Sequence, residues 1–185
     1  PVIPGQKWRV HDANRPRPKV VDPGNHTPLT RPAEAKVLLG EDGKLGAWAQ
    51  GGRDIGWKWL GEALQVQPGT GDIFSRDEFG DLQLHMEFRT PEKVVSSSQG
   101  RGNSGVFLMG VFEVQILDSF QNPSYADGQC GALDGQCPPR ATASPSASSR
   151  SSGVALECAK LHGAQGMPAD AKSTGAIPCN SEPVS

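Results

Sequence analysis

The sequence predicts an all-β protein, an antiparallel sandwich, and three observations carry that expectation. The stretch DLQLHMEFRT, residues 81–90, alternates strictly: Leu82, Leu84, Met86 and Phe88 fall on one face, and Gln83, His85, Glu87 and Arg89 fall on the other. KVLLGEDGKLGAWAQ and GWKWLGEALQVQPGTGDIFS are short, β-rich runs punctuated by Gly and Pro. Nothing between residues 37 and 140 has a convincing helical period. Such a pattern gives each sheet one covered face and one wetter face.

Around this β-rich stretch the chain divides into three parts. Residues 1–36 are rich in Pro and charge and read as an extended arm with too little apolar surface to fold alone. Residues 37–140 hold the strand signals. Residues 141–185 contain no Phe, Trp or Tyr and are dominated by Ala, Ser, Pro and Gly, so they read as a disordered or aberrant tail. The whole chain of 185 residues is long enough for one domain. It opens at Pro1, as a processed or trimmed chain does.

Bulk charge and the cysteines narrow the function classes. A formal net charge of -2 gives no global attraction to nucleic acid or to an anionic membrane. No apolar run approaches the ~18 residues of a membrane span. Cys130 and Cys137 are near enough in sequence to close a small disulfide loop in an oxidising compartment. Zinc would need these two with Cys158 and His162, but tight Cys-x2-Cys knuckles are missing. The GTG at 69–71 and the GRG at 100–102 continue as neither a P-loop nor a dinucleotide fingerprint, and read as turns.

The stretch GRGNSGVFLMGVFEVQILDS, residues 100–119, reads as two strands joined by a glycine turn. In the second strand Phe112, Val114 and Ile116 share one face, while Glu113 and Gln115 share the other. Arg101 and Asn103 have the parity of Gly105, Phe107 and Met109 in the first strand. Asp118 falls at the strand end. On an isolated strand Glu113 and Gln115 would simply face water. Here His85, Glu87, Arg101 and Asn103 extend the same polar surface. Carboxylates, an amide and a guanidinium on one sheet face suit a sugar, whose hydroxyls need both donors and acceptors. Trp8, Trp48, Trp57 and Trp59 are candidates to stack on sugar rings, with core packing the competing role for Trp57 or Trp59.

Four segments together resemble one family. PGTGDIFSRDEFGDLQLHMEFRTP (68–91), QGRGNSGVFL (99–108), FEVQILDSF (112–120) and NPSYADGQCGAL (122–133) are similar to the 3-keto-disaccharide hydrolase domain, and KWRVHDANRPRPKVVDPG (7–24) to its lead-in. The resemblance covers roughly residues 5–140. It implies a concanavalin-like jelly roll, a bacterial protein that is secreted or periplasmic, and cleavage of glycosides already oxidised at C3 of the sugar. A carbohydrate is then the expected partner, with no nucleic acid and no transmembrane segment.

The implied chemistry fits the residue types. A ketone at C3 acidifies the C2 proton, a base removes it, and the group on C1 leaves. Water then adds back to the enone. This route needs a base, an enolate stabiliser and an acid for the leaving oxygen. It does not need the paired carboxylates of ordinary glycosidases. Glu113 is the first candidate for base or acid, with His85 and Glu87 as competitors. Arg101 and Asn103 are expected to bind the ketone and its developing charge. Gln115 and Asp118 are expected to hold sugar hydroxyls or to position Arg101. Tyr125 and Asp127, in the NPSYADGQ loop, either border the site or brace a long connection. No cofactor is indicated, and a divalent metal on the carboxylates stays open.

GALDGQCPPR, residues 131–140, still fits the family, although Asp134 stands where an aromatic is usual. Past residue 140 the family's further strands are not recognisable, so the expected jelly roll is incomplete at its C-terminal side. A shifted reading frame near that residue would give such a tail. Two other readings stand beside the enzyme: a non-catalytic carbohydrate-binding module on the same scaffold, and an inactive truncated product.

Overall fold

In a computed structural model of the chain, the structure describes residues 1–21, 30–40, 43–61 and 63–143. The predicted tail, apart from Ala141–Ala143, lies outside the described residues, and so do Cys158, His162 and Cys179. The described residues form strands and two short 3-10 turns, Ser98–Gly100 and Ala126–Gly128, with no α-helix. All-β is therefore the observed class. The strands pair two by two, giving four two-stranded ladders among the described residues.

Contacts divide the chain into two compact units. The first takes the described residues of 1–26 and 81–185, and the second those of 27–80. In the first, β1 (Lys19–Val21) runs parallel to β8 (Ala141–Ala143). Its centre is the antiparallel pair β6 (Asn103–Leu108) and β7 (Phe112–Leu117). The glycine turn read from the sequence is there. Met109 and Gly110 both lie in the left-handed region, at φ 55° and 66°, and Val111 donates its N–H to the Leu108 carbonyl at 3.1 Å. Left-handed turns match the twist of the flanking strands, and Gly110 adopts one without a Cβ penalty.

The register fixes what each face carries. Val106 pairs with Val114 and Leu108 with Phe112 on the covered face, where Phe112, Val114 and Ile116 are buried. Asn103 pairs with Leu117, Gly105 with Gln115 and Phe107 with Glu113 on the opposite face. Residues 131–134 lie along the far edge of β7, with Gln115 donating to Ala132 O at 2.9 Å, Gly131 to Gln115 O at 2.8 Å and Asp134 to Glu113 O at 2.9 Å. β7 is thus held on both edges. This explains why its polar side chains are fixed rather than loose.

Residues 82–90 keep their predicted alternation: Leu82, Leu84, Met86, Phe88 and Thr90 are half-buried and Gln83, His85, Glu87 and Arg89 exposed. Yet no strand is assigned to them among the described residues. Alternation reports which side of an extended backbone is covered, whereas a ladder also needs a neighbour in register.

The arm is held by the rest of its unit. Ile3 is buried, and Arg15 is buried against the 127–136 segment. The arm is therefore held by polar contacts together with the burial of Ile3. The cysteine expectation fails in part. Cys130 is a free thiol and Cys137 is disulfide-bonded, so the loop between these two is not closed. Cys130 instead sits at the end of β7, its N–H donating to Ser119 Oγ at 3.0 Å, and burial pushes its thiol pKa up, which favours an inert thiol.

In the second unit, β2 (Trp48–Ala49) pairs with β5 (Phe74–Ser75), and β3 (Lys58–Leu60) with β4 (Ala63–Gln65). Gln50 is buried at its centre and donates to the carbonyls of Thr70, Gly71 and Asp72 while accepting from Gly56. This confirms the 69–71 run as a braced turn.

Candidate functional site

The polar face of β6 and β7 is built outward from Gly105. A Cβ there would stand on the Glu113 carboxylate, with Glu113 Cγ and Cδ at 2.7 Å. The glycine therefore makes room for Glu113 to lie across the neighbouring strand. Glu113, Gln115 and Asn103 share this face, as the strand parity predicts. Glu113 is half-buried, Gln115 is 3 % exposed and Asn103 is exposed, so the central amide is covered and the residues on either side of it are more open.

A testable consequence follows for Gly105→Ala. Its backbone is not in the left-handed region, so the strand accepts alanine. The added methyl must push the Glu113 carboxylate aside. We expect the melting temperature to stay within a few degrees of wild type while turnover of the substrate proposed below falls by about 10²-fold, the cost of a displacement of roughly 1 Å. Parallel thermal melts and initial rates check this.

Gln99, which the sequence reading did not single out, joins these side chains. Its Oε1 accepts from Asn103 Nδ2 at 3.0 Å and from Gln115 Nε2 at 3.1 Å. Its Nε2 donates to Ser124 Oγ at 2.7 Å and to the Gly128 carbonyl at 2.8 Å. Asn103 Nδ2 also donates to the Gln99 carbonyl at 3.1 Å. The turn bearing Gln99 is clamped by Asn122, which accepts from Ser98 N–H at 2.7 Å and donates to Ser98 O at 2.9 Å and Asp118 O at 2.8 Å. Ser96 and Ser98 both take left-handed backbone, at φ 69° and 50°, a strained arrangement for non-glycine residues. The sequence signal was one of two amides in the Ser/Gly-rich run SSSQGRGN.

Arg101 turns toward the loop after β7. Its Nη1 donates to Phe120 O at 2.6 Å and lies 3.5 Å from Asp118 Oδ2. Asp118 Oδ1 accepts from Phe120 N–H at 3.2 Å, closing the loop start. Asp118 thus positions Arg101, one of the two roles expected of it. Arg101 Nε is buried without a hydrogen-bond partner, as is Gln115 Oε1.

His85 and Glu87 form an exposed pair of their own, with Nε2 and Oε1 3.7 Å apart. Tyr125 and Asp127 face the arm. The Tyr125 ring stacks on His11 at 4.1 Å between centroids, and fully buried Asp127 accepts from the His11 N–H at 3.0 Å and lies 4.0 Å from Arg15 Nη1. This is the bracing geometry, although its partners are distant in sequence rather than local. His11 Nε2 lies 3.6 Å from Asp134, whose carboxyl pKa is pushed up by burial against the pull of His11. Burial, then Asp134 and Asp127, raise the Tyr125 hydroxyl in the same way.

The tryptophans are half-buried and three of them are tied down. Trp48 Nε1 donates to Leu38 O at 2.7 Å, Trp57 Nε1 to Gly71 O at 2.9 Å, and the Trp59 ring would meet a Cβ on Gly43 at 3.2 Å. All three belong to the second unit, where a hollow of about 590 Å³ is lined by Arg31, Val37, Leu38, Leu39, Lys44 and their neighbours and by none of the predicted site residues. Among the described residues, His, Cys, Asp and Glu do not gather in a group of three that would hold a metal ion. Among them, too, no helix is long and apolar enough to cross a membrane.

Comparison with known proteins now bears on the family. The model of the 3-keto-alpha-glucoside-1,2-lyase-like domain matches residues 34–162. The chain belongs to this family. The matched span begins in the last residues of the arm and runs past residue 140, where the resemblance read from sequence stopped. No curated protein matches the chain. A solved structure from Parabacteroides distasonis ATCC 8503, of a candidate glycosyl hydrolase, is similar at 38% identity with a TM-score of 0.59, over 63% of this chain. The chain spans about half the length of that relative, with 50% of it covered.

Proposed function

We propose that the chain is a carbohydrate-active domain that cleaves glycosides oxidised at C3 of the sugar. Glu113 takes the C2 proton. The C–H electrons form the C1–C2 double bond, the C1–O bond breaks, and the leaving oxygen takes up a proton. Water then adds across the enone, its hydroxyl at C1 and a proton at C2, so that the net change is hydrolysis. Arg101, held by Asp118, supplies the positive charge for the enolate oxygen, and its unpartnered Nε supports that role. Asn103, exposed on this face, meets the sugar hydroxyls, with buried Gln115 behind it.

One observation carries this reading: the β6–β7 register sets Glu113, Gln115 and Asn103 on a single face, with the carboxylate seated over Gly105. Family membership and the glycosyl hydrolase likeness support the substrate class. A concanavalin-like jelly roll, with strands beyond those described, is the architecture we propose for the domain. Export to an oxidising compartment accords with the disulfide at Cys137.

The deciding experiment mixes the protein with 3-keto-trehalose and, separately, with trehalose, and follows release of sugar. We expect cleavage of the ketone form alone. Equal cleavage of both, or tight binding of the ketone form without turnover, overturns the reading; the second result marks a binding module.

A further inference from the structure

Gln99 touches no substrate in the mechanism above, yet it is the one side chain joined to both amides of the polar face. Its own orientation is not free. The Gly128 carbonyl can only accept, so the Gln99 group facing it at 2.8 Å must be the NH2. That NH2 has two hydrogens, and Ser124 Oγ at 2.7 Å takes the other. Gly128 is part of the arrangement, because a Cβ there would stand 2.7 Å from Gln99 Nε2 and block its approach.

With its NH2 consumed, Gln99 offers only an oxygen to Asn103 and Gln115. Each must therefore turn its own NH2 toward Gln99. For Asn103 a second observation agrees independently: the Gln99 main-chain carbonyl, again a pure acceptor, lies 3.1 Å from the same nitrogen. Both Asn103 hydrogens are thereby used, and its Oδ1 faces away from Gln99. Gln115 Oε1 is likewise left over, and it is buried without a partner in a side chain only 3 % exposed. An unpartnered buried acceptor is costly to leave unmade.

We propose that Gln99 is a positioning residue that sets the hydrogen-bond polarity of the site, so that exposed Asn103 keeps its oxygen free of Gln99 and selects a sugar hydroxyl that donates, while buried Gln115 is held behind it with its NH2 on Gln99. This rests on the carbohydrate reading above and extends it from substrate class to the sense of each hydrogen bond. It also takes Asn103 away from the ketone oxygen, which needs a donor, and leaves that task to Arg101. Substrates with an acceptor where a hydroxyl should donate are rejected, because two acceptor oxygens then meet without a proton between them.

The test uses Gln99→Met, which keeps the length and removes both amide functions, with Gln99→Glu as the variant that keeps an acceptor. Two measurements are read. In the first, side-chain NH2 signals of Gln115 and Asn103 are followed by NMR in the free protein. We expect the Gln115 NH2 to be protected from exchange in wild type and in Gln99→Glu, and to lose that protection in Gln99→Met; unchanged protection in Gln99→Met overturns the assigned polarity. In the second, 4-nitrophenyl 3-keto-glucoside is compared with its 4-deoxy-4-fluoro and 6-deoxy-6-fluoro forms, since fluorine accepts but cannot donate. Wild type should prefer the parent over at least one fluoro form by about tenfold in kcat/KM, the worth of one neutral hydrogen bond, and Gln99→Met should lose most of that preference. A wild type with no preference overturns the selection of donating hydroxyls. If no 3-keto-glucoside is cleaved at all, the carbohydrate reading falls and selection falls with it, while the NMR result still decides the polarity by itself.

Discussion

Glu113→Gln should lower turnover of a 3-keto-glycoside by about 10²–10⁴-fold, the usual contribution of a positioned general base, with substrate binding held within a few-fold. The reasoning is steric as well as chemical. Glutamine has nearly the shape of glutamate, so the packing over Gly105 and the pairing with Phe107 are kept. Only the ability to take a proton is lost. A fall in kcat with KM steady separates this from damage to the face. A lectin-like face would show no loss, since an amide can still bond to hydroxyls. Rates under saturating and limiting substrate, with a thermal melt alongside, decide the matter.

The second large effect is expected on stability. Asp127 is fully buried and Arg15 nearly so, and the two stand 4.0 Å apart between the arm and the 126–128 turn. Burial favours loss of the Arg15 proton, and the charge of Asp127 opposes that loss. Asp127→Ala strands a buried guanidinium and removes the acceptor of the His11 N–H. Arg15 keeps its bonds to Gln136 O at 2.9 Å and Gln6 Oε1 at 2.7 Å, but both are neutral acceptors. We expect a loss of about 3–5 kcal/mol in urea unfolding. The double change Arg15→Met with Asp127→Leu should recover most of it, because apolar groups of similar volume need no partner. If Asp127→Ala costs less than about 1 kcal/mol, on the order of a surface substitution, the clasp is not a structural element.

How much of this could be read from the residues depends on the range of the interaction involved. The β6–β7 pair was legible because its two strands are joined by a short turn and their faces follow from parity alone. The half-buried side of residues 82–90 was legible for the same reason, while the missing ladder was not, since pairing needs a partner that alternation does not name. The contacts of the arm were not legible because they are polar and 116 and 121 residues away, as for His11 with Asp127 and Arg15 with Gln136. The site was legible in its residue types: Glu113, Gln115 and Asn103 were named from one face. It was not legible in its connections. Gln99 lies in a turn, where no periodicity says which way an amide points, and the groups that orient it, the Gly128 carbonyl and Ser124 Oγ, belong to residues 29 and 25 positions on.

The clasp between arm and loop also sets an order of events at the ribosome. Arg15 leaves the exit tunnel long before Gln136, with 121 residues between them. At ordinary synthesis speed that interval is roughly 6–24 s. Throughout it Arg15 lacks its partners Asp127 and Gln136, so the clasp cannot close until the 127–136 segment has been made.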